Sequence, residues 1–519
     1  MALAAFGNAD CDVDILVVGG GINGCGIARD AAGRGLRVLL CEQDDLGAHT
    51  SSASTKLIHG GLRYIEQYDF ALVRKALIER EVLINAAPHI IWPLRFVMPH
   101  DSHLRAAWMI RVGLFIYDHL ARRRRLAGSS SIDLRRHPAG LPLAERLQKG
   151  FIYSDAWVED SRLVVLNALD AAERGAEVHP RTRFESVTRH ADHWLARLTR
   201  TTRNTAIADG SDQRSNVEVR ARALVNAAGP WVGRVLDTAT QAESQRPVRL
   251  VKGSHIVVKR LFEHEFAYIF QNPDRRIIFA IPYESSYTLI GTTDIDYEGD
   301  PARVVIDTAE VNYLCEMASR YFRKPIEPND VVASYSGVRP LHDDESSDPS
   351  SVTRDYSLEF DTSAAPLLSV FGGKLTTYRR LAEQAMDRLA PLLGCAGVAW
   401  TRSAFLPGGD MPDADFERFV AQLAQSHPWL PPTLCRRYAR AYGTRVDAVL
   451  GAATELAHLG EQIAPGLYSA EVDYLRRVEF AETTEDILWR RSKLALHLPD
   501  GGHAALARWL AAHPVSTPH

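Results

Sequence analysis

Short, mostly apolar runs that end in small residues recur along this chain and set its framework. Val13 to Val18 leads into Gly19-Gly20-Gly21, Ala223 to Val225 into Asn226-Ala227-Ala228-Gly229, and Ser369 to Phe371 into Gly372-Gly373. Runs this short and continuous predict parallel strands covered on both faces. Helical spacing follows the first run directly, and Arg37 to Cys41 closes a strand–helix–strand unit. Helices are also predicted over 65–90 and Asp160 to Arg174, with a strand at Ala176 to His179. Residues 183–224 alternate as a small antiparallel sheet does, around a polar loop at Thr201 to Asn216. Strand-like pieces at Ser254 to Val258, Arg276 to Ile281 and Thr288 to Thr292 predict the floor of a second domain. An amphipathic helix continues from Gly372-Gly373-Lys374, with Tyr378, Ala382, Ala385 and Leu389 on its apolar face. Pro407-Gly408-Gly409 marks a boundary, and the sequence beyond it has helical spacing throughout.

Gly19, Gly21 and Gly24 occupy a G-x-G-x-x-G turn between strand and helix, the context that gives the motif its meaning. The first permits the tight turn, the second a close approach of backbone to pyrophosphate, and the third close packing of helix on strand. The helix N-terminus then receives the phosphates. Glu42 ends the second strand, placed to accept a hydrogen bond from a ribose hydroxyl and to repel a 2′-phosphate, which argues against NADP. The stretch from His49 to Tyr64 separates FAD from NAD. An NAD enzyme continues its strands and helices directly, whereas here Ser51, Ser52, Ser54, Thr55 and Lys56 offer donors to phosphate and ribitol. Gly60-Gly61 permits close backbone contact with a flat ring.

A length of 519 residues predicts two or three domains. A net charge of −4 gives no field that would draw nucleic acid. Met1 to Asp12 lacks the basic region of a signal or transit peptide, and no uninterrupted apolar stretch is long enough for a transmembrane helix. The six cysteines are scattered without a C-x-x-C pair, which predicts a reducing cytoplasm and no metal site. Leu104 to Leu120 is rich in aromatic and aliphatic residues and runs into Arg122-Arg123-Arg124-Arg125. It reads equally as an interfacial membrane segment and as a core helix followed by a solvated charge run.

Two signatures carry a family resemblance: Gly19-Gly20-Gly21-x-x-Gly24-x-Gly26-x-Ala28-x-Asp30-x-x-x-Arg34-Gly35 and Gly372-Gly373-Lys374-x-x-x-Tyr378-Arg379-x-x-Ala382. They resemble those of the FAD-dependent glycerol-3-phosphate dehydrogenases of bacterial respiration. The similarity extends through Ser51 to Tyr64, Lys252 to His255, Gly291 to Asp294 and Ser336 to Leu341. The resemblance implies an α/β fold with a discontinuous Rossmann-like FAD-binding domain of the glutathione-reductase and D-amino-acid-oxidase kind, over 1–70, 150–240 and 335–405. A mixed α+β substrate-binding, membrane-facing domain would take 71–149 and 241–334, and an all-helical C-terminal domain 406–519. FAD would be held by Gly19, Gly21, Ile22, Asn23, Gly24, Glu42, Ser51, Ser52, Ser54, Lys56, Leu57, His59, Gly60 and Gly61. Ala227, Gly229, Gly337, Gly373, Lys374, Leu375 and Thr376 would complete that set.

The implied reaction oxidises sn-glycerol 3-phosphate to dihydroxyacetone phosphate, with FAD taking the hydride and membrane ubiquinone or menaquinone receiving the electrons. The enzyme would lie peripherally on the cytoplasmic face of the inner membrane, with a homodimer left open. The alternative is an oxidase that uses O₂. By the same resemblance Arg63, Arg339, Arg354 and Lys374 meet the substrate dianion, since guanidinium forks give paired charge-assisted hydrogen bonds. Arg354 is equally well read as a surface ion pair. His255 is the choice of general base, its neutral form favoured by the arginines, against the reading of a hydrogen-bonded core histidine. His59 is the reserve, and Tyr64 orients substrate or packs on the ring. Lys374 at a helix N-terminus would stabilise the negative charge of reduced flavin.

Overall fold

A computed structural model describes residues 12–514 except 67, 102–103, 204–211, 241–247, 275 and 343–354. One sheet runs, edge to edge, through Ser357–Asp361, Leu367–Phe371, Asp212–Asn226, Asp12–Val18, Val38–Cys41 and Glu177–His179. The three apolar runs of the sequence are its adjacent central strands, paired parallel. Trp194–Arg203 and Thr182–Arg189 form an antiparallel ribbon carried on Asp212–Asn226. Alternate side chains of Asp12–Val18 enter two cores. Ile15 and Val17 pack with helix α1 (Ile22–Gly33) and the helices Asp160–Glu173 and Tyr378–Leu389, whereas Leu16 and Val18 meet Trp194 of the ribbon. Coverage of both faces is what made the run apolar throughout.

The second sheet is larger and mostly antiparallel. Its path is Ile295–Asp296, Val248–Lys259, Tyr287–Gly291, Ile277–Tyr283, Ala267–Gln271, Ile91–His100, Lys149–Val158 and Leu57–Ile58. Val331–His342 pairs with Val248–Lys259 along almost its whole length. One face is closed by the helix Thr308–Ser319, the other by α2 (Phe70–Ala86) and α3 (Ala107–His119). The helix expected over 65–90 is therefore shorter, because the Asp69 carboxylate accepts the Leu72 N–H at 3.1 Å and caps it.

Backbone pairing divides the chain differently from the expected boundaries. Leu57–Ile58, Lys149–Val158 and Val331–His342 all belong to the second sheet, whereas the first, all but one residue of the second and residues 335–342 of the third were expected with the cofactor domain. Met411 to Leu510 build a core of their own. That C-terminal domain is not all-helical, since Gln462–Ala464 and Leu467–Tyr468 form a two-stranded ladder. It is tied to the first domain by buried ion pairs: Asp45 with Arg490 and Arg491 at 2.6 Å each, and Arg162 with Glu479.

Candidate active site

A strand, a turn and α1 shape the first half of the site. A methyl group on Gly24 would lie 1.9 Å from the Gly19 carbonyl oxygen, so only hydrogen allows the helix to close on the turn. Gly21 caps α1 without a side-chain acceptor, and Ser51 Oγ accepts only the Ile22 N–H, at 3.0 Å. Glu42 is buried, its Oε2 accepting the Gly20 N–H at 2.7 Å and its Oε1 the Asp44 N–H at 2.9 Å. Burial pushes its pKa up, and the two N–H groups oppose that shift. Beside them opens a cleft of about 220 Å³, walled by Gly21, Glu42, Ser51, Ala227, Gly229 and Trp231. His49 meets Trp231 edge to face at 4.7 Å between centroids. A glycine cradle, an uncapped helix start and a buried carboxylate with spare lone pairs fit an adenosine diphosphate.

The second half lies where three distant segments meet. The Gly60 N–H is held by Tyr117 Oη at 2.9 Å and Asp155 Oδ1 at 3.3 Å. Thr376 Oγ1 accepts the His59 N–H at 3.2 Å, and Asn23 Nδ2 donates to the Gly372 carbonyl at 3.0 Å. Lys374 Nζ donates to Tyr64 Oη at 3.0 Å. The helix that follows starts only at Tyr378, with residues 374–377 in a turn, which corrects the expected position of Lys374 at a helix N-terminus.

His255 and Arg339 come from neighbouring strands of the second sheet, Val248–Lys259 and Val331–His342. His255 is 1 % exposed, stacked on Tyr335 at 4.8 Å, with Nε2 3.0 Å from Thr55 Oγ1 and Nδ1 lacking a partner among the described residues. Burial, with the charges of Arg339 and Lys56, holds its pKa well below the usual imidazole value. Arg339 pairs with Asp294 and donates to Thr292 Oγ1 at 3.3 Å. Glu310 braces the strands from beneath: it accepts from Ser254 Oγ at 2.8 Å and Thr293 Oγ1 at 2.7 Å, and pairs with Lys252 at 2.7 Å. The result is a neutral, water-shielded imidazole beside a guanidinium, next to a cleft suited to a dinucleotide.

A family model for FAD-dependent oxidoreductases matches residues 14–379, and one for the C-terminal domain of alpha-glycerophosphate oxidase matches 399–512. The chain belongs to the FAD-dependent oxidoreductase family. It is 53% identical over 504 residues to a glycerol-3-phosphate dehydrogenase of Pseudomonas aeruginosa, covering 96% of each chain. It is 51% identical over 497 residues to a D-erythritol 1-phosphate dehydrogenase of Brucella abortus, covering 96% of this chain and 97% of the other. A glycerol-3-phosphate dehydrogenase from Bacillus halodurans, solved with FAD, matches with a TM-score of 0.76 at 27% identity, over 98% of this chain and 92% of that one. The cofactor of this oxidoreductase is FAD, and the α/β cofactor fold with a C-terminal domain is the family's.

Among the expected site residues of this oxidoreductase, Gly19, Gly21, Glu42, Ser51, Ala227 and Gly229 line the cleft, and Ile22, Asn23 and Gly24 open α1 beneath it. Ser52 Oγ folds back onto the His49 carbonyl at 3.3 Å. His59, Gly60, Gly61, Gly373, Lys374, Leu375 and Thr376 gather at the second junction, as do Arg63 and Tyr64 in the turn Leu62–Ile65. Gly337 packs on Ala53, where a methyl group would sit 2.7 Å from Ala53 Cβ.

Three residues expected at the cofactor have side chains engaged elsewhere. Lys56 Nζ is buried against Asp160 at 2.7 Å, Ser54 Oγ donates to the same carboxylate at 2.8 Å, and Leu57 is a core residue of the second sheet. These side chains brace the loop rather than face the cleft. Arg354 lies outside the described residues. Tyr335, Glu310 and Trp231 were not singled out from sequence. Thr55 was read as a cofactor donor and not as the partner of His255, and His49, Thr292 and Asp294 entered only as members of longer stretches.

Proposed function

We propose that this oxidoreductase converts sn-glycerol 3-phosphate to dihydroxyacetone phosphate and passes the electrons to a membrane quinone, ubiquinone or menaquinone. The observation that carries the reading is the neutral His255 beside Arg339. Arg339 offers a guanidinium fork to the phosphate dianion, with Arg63 and Lys374 across the junction adding positive charge. In the tautomer this reading requires, the His255 Nε2–H donates to Thr55 Oγ1, 3.0 Å away, and Nδ1 is left to take the proton of the C2 hydroxyl. FAD, when bound, supplies the hydride acceptor. Stacking on Tyr335 holds the imidazole plane, and burial excludes water from the proton transfer.

A second substrate reading, a four-carbon polyol phosphate, is supported by the 51% identity to the Brucella enzyme. Anaerobic titration of the flavin absorbance band separates the two, with bleaching expected at lower concentrations of sn-glycerol 3-phosphate than of D-erythritol 1-phosphate. Bleaching by the erythritol ester alone would overturn the substrate assignment. Stoichiometric peroxide on admitting air would favour the oxidase alternative.

Membrane contact at the cytoplasmic face is part of the same proposal. No helix among the described residues is long and apolar enough to cross a bilayer. On α3, however, Trp108, Met109, Val112 and Phe115 are exposed, Trp108 by 70%. An apolar helical face followed by four arginines suits an anionic interface.

A further inference from the structure

Away from the cofactor cleft, a cavity of about 620 Å³ lies between α2, the segment after α3 and the link to the C-terminal domain. Five arginines line it: Arg74, Arg122, Arg124, Arg125 and Arg402. Arg125 is braced by Asn85 Oδ1 at 2.8 Å and by the Asp413 carbonyl oxygen. The guanidinium groups of the other four have no hydrogen-bond or ion-pair partner among the described residues. Two carboxylates also line the space, leaving five positive charges against two, and neither forms an ion pair with those four guanidinium groups among the described residues. Glu81 is 7% exposed and accepts the backbone N–H of Arg124 at 3.2 Å, whereas Asp413 is drawn to Arg418 at 3.7 Å.

Isolated surface arginines are ordinary, but five lining one concavity raise its positive potential, which a bound anion would offset. Several forks around one space match an anion with many oxygens, and Ile78, Val82 and half-exposed Phe405 give it an apolar flank. We propose that this cavity binds a phosphate-bearing anion, at a site separate from that of substrate oxidation. Contacts run from the rim of this cavity toward Lys374. Glu79 of α2 grips Arg379 through two hydrogen bonds of 2.7 Å, and Arg379 also reaches Thr401, the neighbour of Arg402, at 3.2 Å. The helix that carries Arg379 begins four residues after Lys374.

The test uses the FAD-loaded protein and its Arg74→Ser/Arg402→Ser double variant. Both arginines are exposed and unpartnered, so the fold is expected to persist, and flavin content checks it. Inorganic pyrophosphate is titrated calorimetrically, and phosphatidylglycerol vesicles are compared with phosphatidylcholine vesicles by flotation. An Arg339→Ala variant removes any contribution from the substrate site. The expected result is pyrophosphate binding that survives Arg339→Ala and weakens at least tenfold in the double variant. Retention on phosphatidylglycerol alone, lost in the double variant, would support the same chemistry with a lipid headgroup as its source. If neither probe distinguishes parent from double variant, the proposal is overturned.

Discussion

His255 gains its chemistry from where it is held, since an exposed imidazole would titrate near neutrality. Protonation removes the base, and burial with two nearby cations depresses the folded pKa, so the neutral form persists below pH 6.5. The rate of flavin reduction is therefore expected to stay flat from pH 8 down through 6.5 and to fall only in more acidic buffer. Stopped-flow reduction under nitrogen reads this directly, and an inflection at or above 6.5 would speak against His255 as the base. In the same assay His255→Asn should slow reduction by roughly 10²- to 10⁴-fold while changing substrate affinity only a few-fold. Both His255 and Arg339 could be found in the sequence because a titratable or charged residue is conspicuous in an apolar strand. The pairings of Thr55 and Asp294 could not, because each acquires that role only across a sheet, 200 residues from His255 and 45 from Arg339.

At the scale of elements, what could be read from sequence was local. The strand–turn–α1–strand unit is written in consecutive residues, so glycine spacing and an apolar run sufficed. Membership of the second sheet was not local: Lys149–Val158 pairs with Ile91–His100 some fifty residues away, and nothing in its own sequence says so. The junction before Tyr378 misled for a related reason, since helical spacing began before the helix did. α3 was ambiguous because its sequence is apolar on more than one side. Folding resolves it: Leu114 and Tyr117 are buried against α2, while Trp108, Val112 and Phe115, spaced four and three apart, form an outward stripe. Trp108→Ser/Phe115→Ser should retain FAD and the rate of flavin reduction yet lose most of its binding to anionic vesicles, several-fold or more by flotation. Undiminished flotation would move the membrane contact elsewhere.

The whole molecule is held together at a seam between the cofactor domain and the C-terminal domain, and that seam contains a second buried histidine. His89 is fully buried, neither ring nitrogen has a hydrogen-bond partner among the described residues, and Arg440 donates to its backbone carbonyl at 3.3 Å. Burial first, then the charges of Arg162 and Arg440, push its pKa down to about 3. Once unfolded, this imidazole binds a proton below about 6.5, whereas in the folded chain it stays neutral. The unfolded state thus takes up the extra proton, and the stability it opposes is full above pH 6.5 and lost as pH falls. Each pH unit below that value costs about 1.4 kcal/mol per such group. Between pH 7.5 and 5.0, His89→Leu should therefore lose about 2 kcal/mol less than the parent, read from denaturant midpoints with FAD bound. Parallel pH slopes in the two proteins would show that His89 is not a neutral wedge in the seam.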